Sequence, residues 1–198
     1  DSTQQRLLVA AGAAAFDSTA LADHLADYFA DHYEEVPATE AARWLRSDLV
    51  RRIDSLSRSD VRLEELQQYA GRLQTSPPEQ ARVQVIPRMS RAPPATDFYV
   101  DTILGLYRAA VDAAEAIDGS VEGRALPDAM QLRQGAQSMA LISFLYIYED
   151  VPQEMLERYV TFFESEAGQW YVTTYSAAVN HAIEQASAAL QDELQAAN

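Results

Sequence analysis

The sequence predicts an all-α protein, a helical bundle of about eight helices packed around one apolar central helix. Strong helix formers (Ala, Leu, Gln, Glu and Arg) dominate the 198 residues, and strand-favouring runs of Val, Ile and Thr are nearly absent. Apolar residues recur at helical spacing along most of the chain. The segment Met139–Tyr148 holds one polar side chain, Ser143, and a helix that is apolar all round is expected to be buried on every side.

The first half of the chain contains four predicted helices and one shorter helical segment. Asp17 or Ser18 caps the second helix, and Ser59–Asp60 cap the fourth. Pro37 and the Pro77–Pro78 pair mark two helix ends, because proline cannot continue a helix. The predicted bounds, in chain order, are about residues 3–16, 19–35, 39–53, 61–76 and 79–86.

The second half contains four longer helices. Thr96 caps the first, and the loop Asp118–Gly123 separates it from the central helix, which begins at Pro127. Asp150 and Ser165 cap the last two helices. The predicted bounds are about residues 96–117, 127–148, 151–163 and 166–190.

A proline-rich stretch, Pro87–Pro94 (PRMSRAPP), is the best candidate linker. It predicts an N-terminal helical half, residues 1–90, and a C-terminal helical half, residues 91–198, packed as one globular unit. Residues 59–76 also overlay residues 149–166 without a gap, at an offset of ninety positions. The identical pairs are Asp60/Asp150, Val61/Val151, Glu64/Glu154, Leu66/Leu156 and Tyr69/Tyr159. Two interpretations stay open: a duplicated helical module, or two similar helix starts.

The chain is strongly acidic, with 15 basic and 30 acidic residues and a formal net charge of −15. A nucleic-acid-binding protein concentrates positive charge against phosphates, and no large basic cluster occurs here. The sequence therefore predicts no nucleic-acid partner. It also predicts no transmembrane segment, because a membrane-spanning helix needs about 18 or more apolar residues.

Cysteine is absent, which excludes disulfides, thiol catalysis and Cys-ligated zinc. The chain begins at Asp1 rather than Met. Either a signal peptide has been removed, as in a mature periplasmic or secreted protein, or the chain has been trimmed.

One helix face carries three potential metal ligands, His24, Asp27 and Asp31, spaced at i, i+3 and i+7. Metal sites in helical proteins usually draw ligands from several helices, whereas here a single helix carries the set. The alternative interpretation is a solvated acidic face. The sequence predicts no metal site, with these residues as the weak candidates, and it predicts no cofactor.

Aromatic residues concentrate in the C-terminal third, and this predicts a possible pocket for an apolar ligand between helices. Aromatic side chains at helical spacing are also common in an ordinary packed core. The candidate pocket residues are Tyr146, Tyr159, Phe163, Trp170, Tyr171 and Tyr175.

The segment Phe162–Trp170 (FFESEAGQW) predicts a sharp corner between two helices. Ser165 is a suitable N-cap, with Glu166 in the first turn of the next helix, and Gly168 leaves room where the two helices meet. A nucleophilic Ser165 would need a base and an oxyanion hole, and His181 lies about four helical turns away. The sequence therefore predicts no catalytic residues and no enzyme.

The segment FLYIYEDVPQEMLERYVTFFESEAGQWY resembles a bacterial family of exported, all-helical proteins known as domain of unknown function 2059. The resemblance covers about residues 137–186. It implies a periplasmic or secreted helical protein, and it implies no activity. One position departs from the family pattern: many members have Ser-Pro where this chain has Ser165–Glu166. The matching positions are Leu145–Tyr148, Asp150, Leu156, Tyr159, Phe163, Ser165, Gly168 and Gln169.

Three functional hypotheses follow. The leading one is a non-enzymatic protein-interaction module that binds a partner protein of the cell envelope or a second copy of itself as a homo-oligomer. The alternative is a carrier of a small hydrophobic ligand in the aromatic-lined pocket. The third is a metal-dependent enzyme acting through His24, Asp27 and Asp31.

Overall fold

The computed structural model describes residues 2–59, 61–91, 95–117 and 129–196, and these form helices and short connections with no strand among them. The predicted all-α fold class is confirmed. Within the same residues, no helix is both long enough and apolar enough to cross a membrane. The helices are α1 (Ser2–Ala15), α2 (Ser18–Asp31), α3 (Glu35–Leu45), α4 (Asp48–Leu56) and α5 (Leu63–Thr75). They continue as α6 (Gln80–Arg91), α7 (Ala95–Ile117), α8 (Ala129–Ile147), α9 (Gln153–Phe163) and α10 (Glu166–Ala196). The predicted loop Asp118–Gly123 and the predicted start at Pro127 lie outside the described residues.

The predicted third helix is divided into α3 and α4. Ser47 adopts an extended backbone between them, and its hydroxyl accepts a hydrogen bond from the Val50 N–H at 3.3 Å. Ser47 is therefore the N-cap of α4. Pro37 does not end α2, which stops at Asp31; it lies in the first turn of α3, where its missing N–H costs no helical hydrogen bond.

The predicted linker is helical over most of its length. Pro87 lies inside α6, which continues to Arg91, and residues 92–94 are outside the described part of the chain. Val85, Ile86 and Met89 on either side of Pro87 are all buried. A proline weakens an isolated helix, and burial of these apolar side chains stabilises α6 on either side of Pro87.

The chain forms two compact units, and each is assembled from separated segments. Unit 1 contains Asp1–Tyr33, Phe98–Leu132 and Thr174–Asn198, and unit 2 contains Glu34–Asp97 and Arg133–Thr173. The predicted halves, divided near residue 90, do not correspond to these units. Helices α7, α8 and α10 each contribute residues to both units.

The core of unit 2 is formed mainly by α4, α6 and α9. Its buried residues are Ile53, Val85, Ile86, Met89, Val151, Leu156 and Val160. Burying a side chain of this size contributes roughly 1.5–3 kcal/mol, so each of these residues stabilises the unit.

Helix α8 does not have the position that its apolar sequence predicts. From Met139 to Tyr148 every residue is at least partly accessible, and Met139 is 44% exposed. Leu141, Phe144, Leu145 and Tyr148 recur at helical spacing and pack against the core of unit 2. The helix therefore borders this core on one face and is not buried on every side.

Small residues dominate the core of unit 1. Ala11 and Ala15 of α1 pack with Ala113 of α7 and with Leu190 and Leu194 of α10. Alanine at these positions lets the helices approach closely, and it also limits the apolar area that each residue buries.

The two segments of the suspected repeat include α5 and α9, and both helices lie in unit 2. Leu66 and Leu156, which correspond in the repeat, are both buried. Asp150 does not cap α9 and instead pairs with Arg58, with the two side chains 3.1 Å apart. A true duplication stays a prediction.

Candidate functional site

The metal-ligand candidates lie on α2 in unit 1. His24 is half-buried, and Asp27 and Asp31 are exposed. Among the described residues, no group of three or more His, Cys, Asp or Glu side chains is placed to hold a metal ion. The other two histidines both lie beside the ring of Tyr28. The His32 ring stacks on it with centroids 4.0 Å apart, and the centroid of the His181 ring lies 5.4 Å away.

Trp44 occupies the centre of the aromatic cluster in unit 2. Its indole ring stacks on Phe162 at a centroid distance of 3.8 Å, and it lies 5.2 Å from the rings of Tyr159 and Phe163. Sequence reasoning missed this residue, because Trp44 comes from α3, more than a hundred positions before its partners. An aromatic ring thus takes up space that the predicted pocket would have offered to a ligand.

Five of the six predicted pocket residues belong to unit 2. Tyr175 belongs to unit 1, where its ring lies 6.0 Å from Phe98 and is 41% exposed. In unit 2, Tyr146 faces Tyr69 at 5.3 Å, and its hydroxyl donates to Glu65 Oε2 at 3.0 Å. Trp170 and Tyr171 are half-buried on α10.

Two tyrosines of unit 2 are held in their neutral form. Burial raises the pKa of Tyr159, and the neighbouring hydroxyl of Tyr148 and the charge of Asp54 raise it further. Burial likewise raises the pKa of Tyr148. An ionised phenolate in this environment would lose its hydration, so these hydroxyls are poor bases at neutral pH.

The corner between α9 and α10 depends on Ser165 and Gly168. The Ser165 hydroxyl donates to the Phe162 carbonyl at 2.6 Å and accepts from the Gly168 N–H at 3.2 Å. Gln169 also donates from its side chain to the Phe163 carbonyl at 2.6 Å. Because the serine hydroxyl is engaged on both sides, it acts as a helix cap.

Arginine and tyrosine side chains bind carbonyl groups of the last turn of α8 and of the segment that follows it. Arg82 donates to the carbonyls of Tyr148 and Val151, both at 2.8 Å, and Tyr69 donates to the Leu145 carbonyl at 3.2 Å. Positive charge at this end also complements the helix dipole. Sequence reasoning missed Arg82, since its partners lie 66 and 69 positions away and no local pattern marks them.

A cleft of about 520 Å³ in unit 2 adjoins this helix end. Arg72, Arg82, Glu79 and Glu149 contribute charged groups to its lining. The Arg82 guanidinium donates hydrogen bonds to backbone carbonyls, and the Arg72 guanidinium lies over the Tyr69 ring, 5.2 Å from its centroid. The cleft is thus built largely from groups that stabilise the fold.

A second polar cleft, of about 410 Å³, lies between α7 and α10 in unit 1. Asp101, Arg108, Asp112 and Glu184 contribute its charged groups. Gln191 donates to Asp112 Oδ2 at 3.2 Å, which links the two helices across the cleft.

An apolar groove of about 320 Å³ lies beside it in unit 1, and we name it the α1–α7 groove. Leu106 is 44% exposed at its edge, and a β-carbon added at Gly12 would have no heavy atom within 4 Å. The groove is therefore open, and no side chain in its lining carries a polar group. The lining residues are Gly12, Phe16, Leu106, Ala109, Ala110, Ala113 and Leu190.

Comparison with protein-family models, with curated proteins and with solved structures finds no match to this chain. The resemblance to domain of unknown function 2059 stays a prediction.

Proposed function

We propose that this protein is a non-enzymatic interaction module of the bacterial cell envelope, periplasmic or secreted, that binds a partner protein through the α1–α7 groove. The observation that carries the proposal is the open, wholly apolar lining of the groove. The envelope location rests on the resemblance to the exported family.

Exposed apolar surface extends the groove along α1. Val9 is 66% exposed, and it precedes Gly12 and Phe16 by three and seven positions, which places the three residues on one helix face. A contiguous apolar surface of this kind is costly in water and commonly marks a binding site.

The polar groups described above support binding over catalysis. The hydroxyl of Ser165 caps a helix, and the guanidinium of Arg82 binds backbone carbonyls. Both groups are therefore engaged in hydrogen bonds that hold the backbone of the fold.

Site-specific photo-crosslinking in the cells that naturally make the protein tests the proposal. A photoreactive residue at Leu106 should give a discrete crosslinked partner, and the substitution Ala110→Arg, which fills the groove from an exposed position, should remove it. The matched control is a photoreactive residue at Val83, which is 50% exposed and lies in unit 2. The proposal fails if Leu106 and Val83 give the same products, or if Ala110→Arg leaves them unchanged.

The alternative function is transport of a small hydrophobic ligand. Its specific support is the groove volume of about 320 Å³, which lies at the lower end of the usual range for ligand pockets. Native mass spectrometry of protein purified gently from its own host tests it. An adduct that Ala110→Arg removes would favour the carrier, whereas a bare chain or a clean dimer would favour the interaction module.

A further inference from the structure

We propose that the occupant of the α1–α7 groove is a cationic amphipathic helix of the partner protein. This inference rests on the proposed function and adds the chemical class of the partner. It is carried by the shape of the groove together with the distribution of charge between the two units.

Helical spacing of the lining residues supports a helical occupant. Leu106, Ala110 and Ala113 occupy positions i, i+4 and i+7 of α7, so they cover about 10 Å along the helix axis. Two apolar side chains one turn apart on an incoming helix are separated by about 5–6 Å and fit within this length. The small residues Gly12 and Ala110 leave the space that an incoming helix needs to approach α1 and α7 closely.

Unit 1 carries most of the net negative charge of the molecule. It contains fourteen acidic residues and three basic ones, so its formal net charge is −11 of the −15 carried by the whole chain. Unit 2 contains sixteen acidic and twelve basic residues, which gives −4. The apolar groove therefore lies in the unit whose electric field attracts cations most strongly.

Carboxylates also occur next to the groove lining. Asp17 directly follows Phe16, Asp112 follows Ala109 by one turn, and Glu193 follows Leu190 by one turn. All three acidic residues are exposed. Basic side chains on the flanks of an incoming helix would reach these carboxylates while its apolar face occupies the groove.

Positive charge on the groove helices is limited. Arg6 is the basic residue of α1, and Arg108 is the basic residue of α7. Arg108 lines the neighbouring polar cleft together with Asp101 and Asp112. The net field at the groove remains negative.

Two other occupants are disfavoured by the same charge. A second copy of this chain would bring another −15, and an anionic lipid surface would repel unit 1. Both are distinguishable outcomes of the test below.

The test uses the full chain and two synthetic helical peptides with the same leucine face. One peptide carries lysine at the flanking positions, and the other carries glutamate there. Fluorescence anisotropy should show at least about tenfold tighter binding of the lysine peptide, and this preference should shrink as NaCl rises. Ala110→Arg should weaken lysine-peptide binding about tenfold or more without changing the melting temperature.

Charge variants identify the contacts that carry the preference. Glu193→Gln should weaken lysine-peptide binding roughly two- to fivefold at low salt. The matched control is Glu154→Gln, an exposed glutamate of unit 2, which removes the same charge from the chain and should leave binding unchanged. If Ala110→Arg fails to fold, Leu106→Gln replaces it, because Leu106 is 44% exposed.

Several outcomes would overturn the inference. Equal binding of the two peptides would exclude a charge-selective groove, and unchanged binding by Ala110→Arg would exclude the groove itself. Concentration-dependent dimers in sedimentation that Ala110→Arg abolishes would identify a second copy as the occupant. Binding to vesicles of phosphatidylserine that the same variant abolishes would identify lipid.

The crosslinking experiment separates this inference from the proposed function. If the peptides are not discriminated but the crosslink at Leu106 is still lost in Ala110→Arg, the partner is not a cationic helix and the interaction module stands. If the lysine peptide binds selectively but no groove-dependent crosslink forms in cells, the proposed function fails.

Discussion

Gly168 is the residue whose replacement the fold tolerates least at the α9–α10 corner. A β-carbon added there would overlap the backbone carbonyl of Phe162 and lie 2.7 Å from the Cα of Phe163. We expect Gly168→Ala to lower the free energy of unfolding by roughly 1–3 kcal/mol, because the backbone of Phe162 and Phe163 must shift. Urea denaturation measures this change.

Gly71 provides the matched control for that substitution. It lies inside α5, and an added β-carbon there has no heavy atom within 4 Å. Gly71→Ala should raise the free energy of unfolding by about 0.5–1 kcal/mol, because alanine favours the helix. If both variants shift the urea midpoint in the same direction, the close approach at Gly168 is not what limits that position.

Ionisation of Tyr159 should make the stability of the fold depend on pH in the alkaline range. Its pKa is raised above the ordinary value of 10.0 in the folded chain, mainly by burial. The folded state therefore holds this proton more tightly, so its contribution to stability is complete below pH 10 and is lost as the pH rises further. We expect the melting temperature to fall as the pH rises above about pH 10, and Tyr159→Phe to make that fall shallower.

Tyr33 separates this effect from the general response of the protein to high pH. It is 59% exposed, so Tyr33→Phe should leave the pH dependence as it is in the parent. A melting temperature that falls as steeply in Tyr159→Phe as in the parent would contradict the role assigned to burial of this hydroxyl.

At the scale of single elements, the segment that joins α8 to α9 is held by Arg82 of the distant helix α6. Arg82→Met should lower the free energy of unfolding by about 1–3 kcal/mol, because the carbonyls of Tyr148 and Val151 lose a charged donor. Hydrogen exchange should locate the change in the segment that joins α8 to α9. Arg158→Met on the exposed surface of α9 is the control and should change stability by less than about 0.5 kcal/mol.

Local sequence signals predicted where the helices lie better than they predicted what each helix packs against. Amphipathic spacing and capping chemistry are properties of neighbouring residues, so the sequence predicts the all-α class and a corner at Ser165. It does not reveal that Pro87 stays helical, because the burial of Val85, Ile86 and Met89 is decided by distant helices. The same reason explains why the apolar helix α8 is only half-buried. The apolar pattern of a helix shows which side chains can pack against a core, and distant helices decide whether those side chains are covered.

The candidate groove also lay beyond sequence reasoning. Gly12, Ala110 and Leu190 come from three helices that are far apart in the chain, and each looks like an ordinary helix residue in its local context. The aromatic residues of the C-terminal third were predicted as a group because they are close in sequence. Trp44, which comes from α3, packs against three of their rings.

At the scale of the whole molecule, the net charge is distributed unevenly between the two units. Unit 1 has a formal net charge of −11, and unit 2 contains twelve of the fifteen arginines. Repulsion between acidic residues is strongest where few basic residues offset their charge. Electrostatic destabilisation should therefore be concentrated in unit 1.

Salt should stabilise this protein. Raising NaCl from about 0.01 M to about 0.5 M shortens the screening length from about 30 Å to a few ångströms and weakens the repulsion. We expect a higher melting temperature by circular dichroism, with hydrogen exchange slowing more in unit 1 than in unit 2. A lower melting temperature would mean that ion pairs such as Arg88 with Glu157 and Glu164 contribute more than the net charge costs.

The alanine-rich core of unit 1 joins residues that the ribosome makes far apart in time. Ala11 and Ala15 pack with Leu190 and Leu194, about 180 positions later. At about 5–20 residues per second, roughly 10–35 s of synthesis separate the two sets. Throughout that interval the first helices have no native partner from α10, so a nascent chain exposes their apolar faces to chaperones before it can fold.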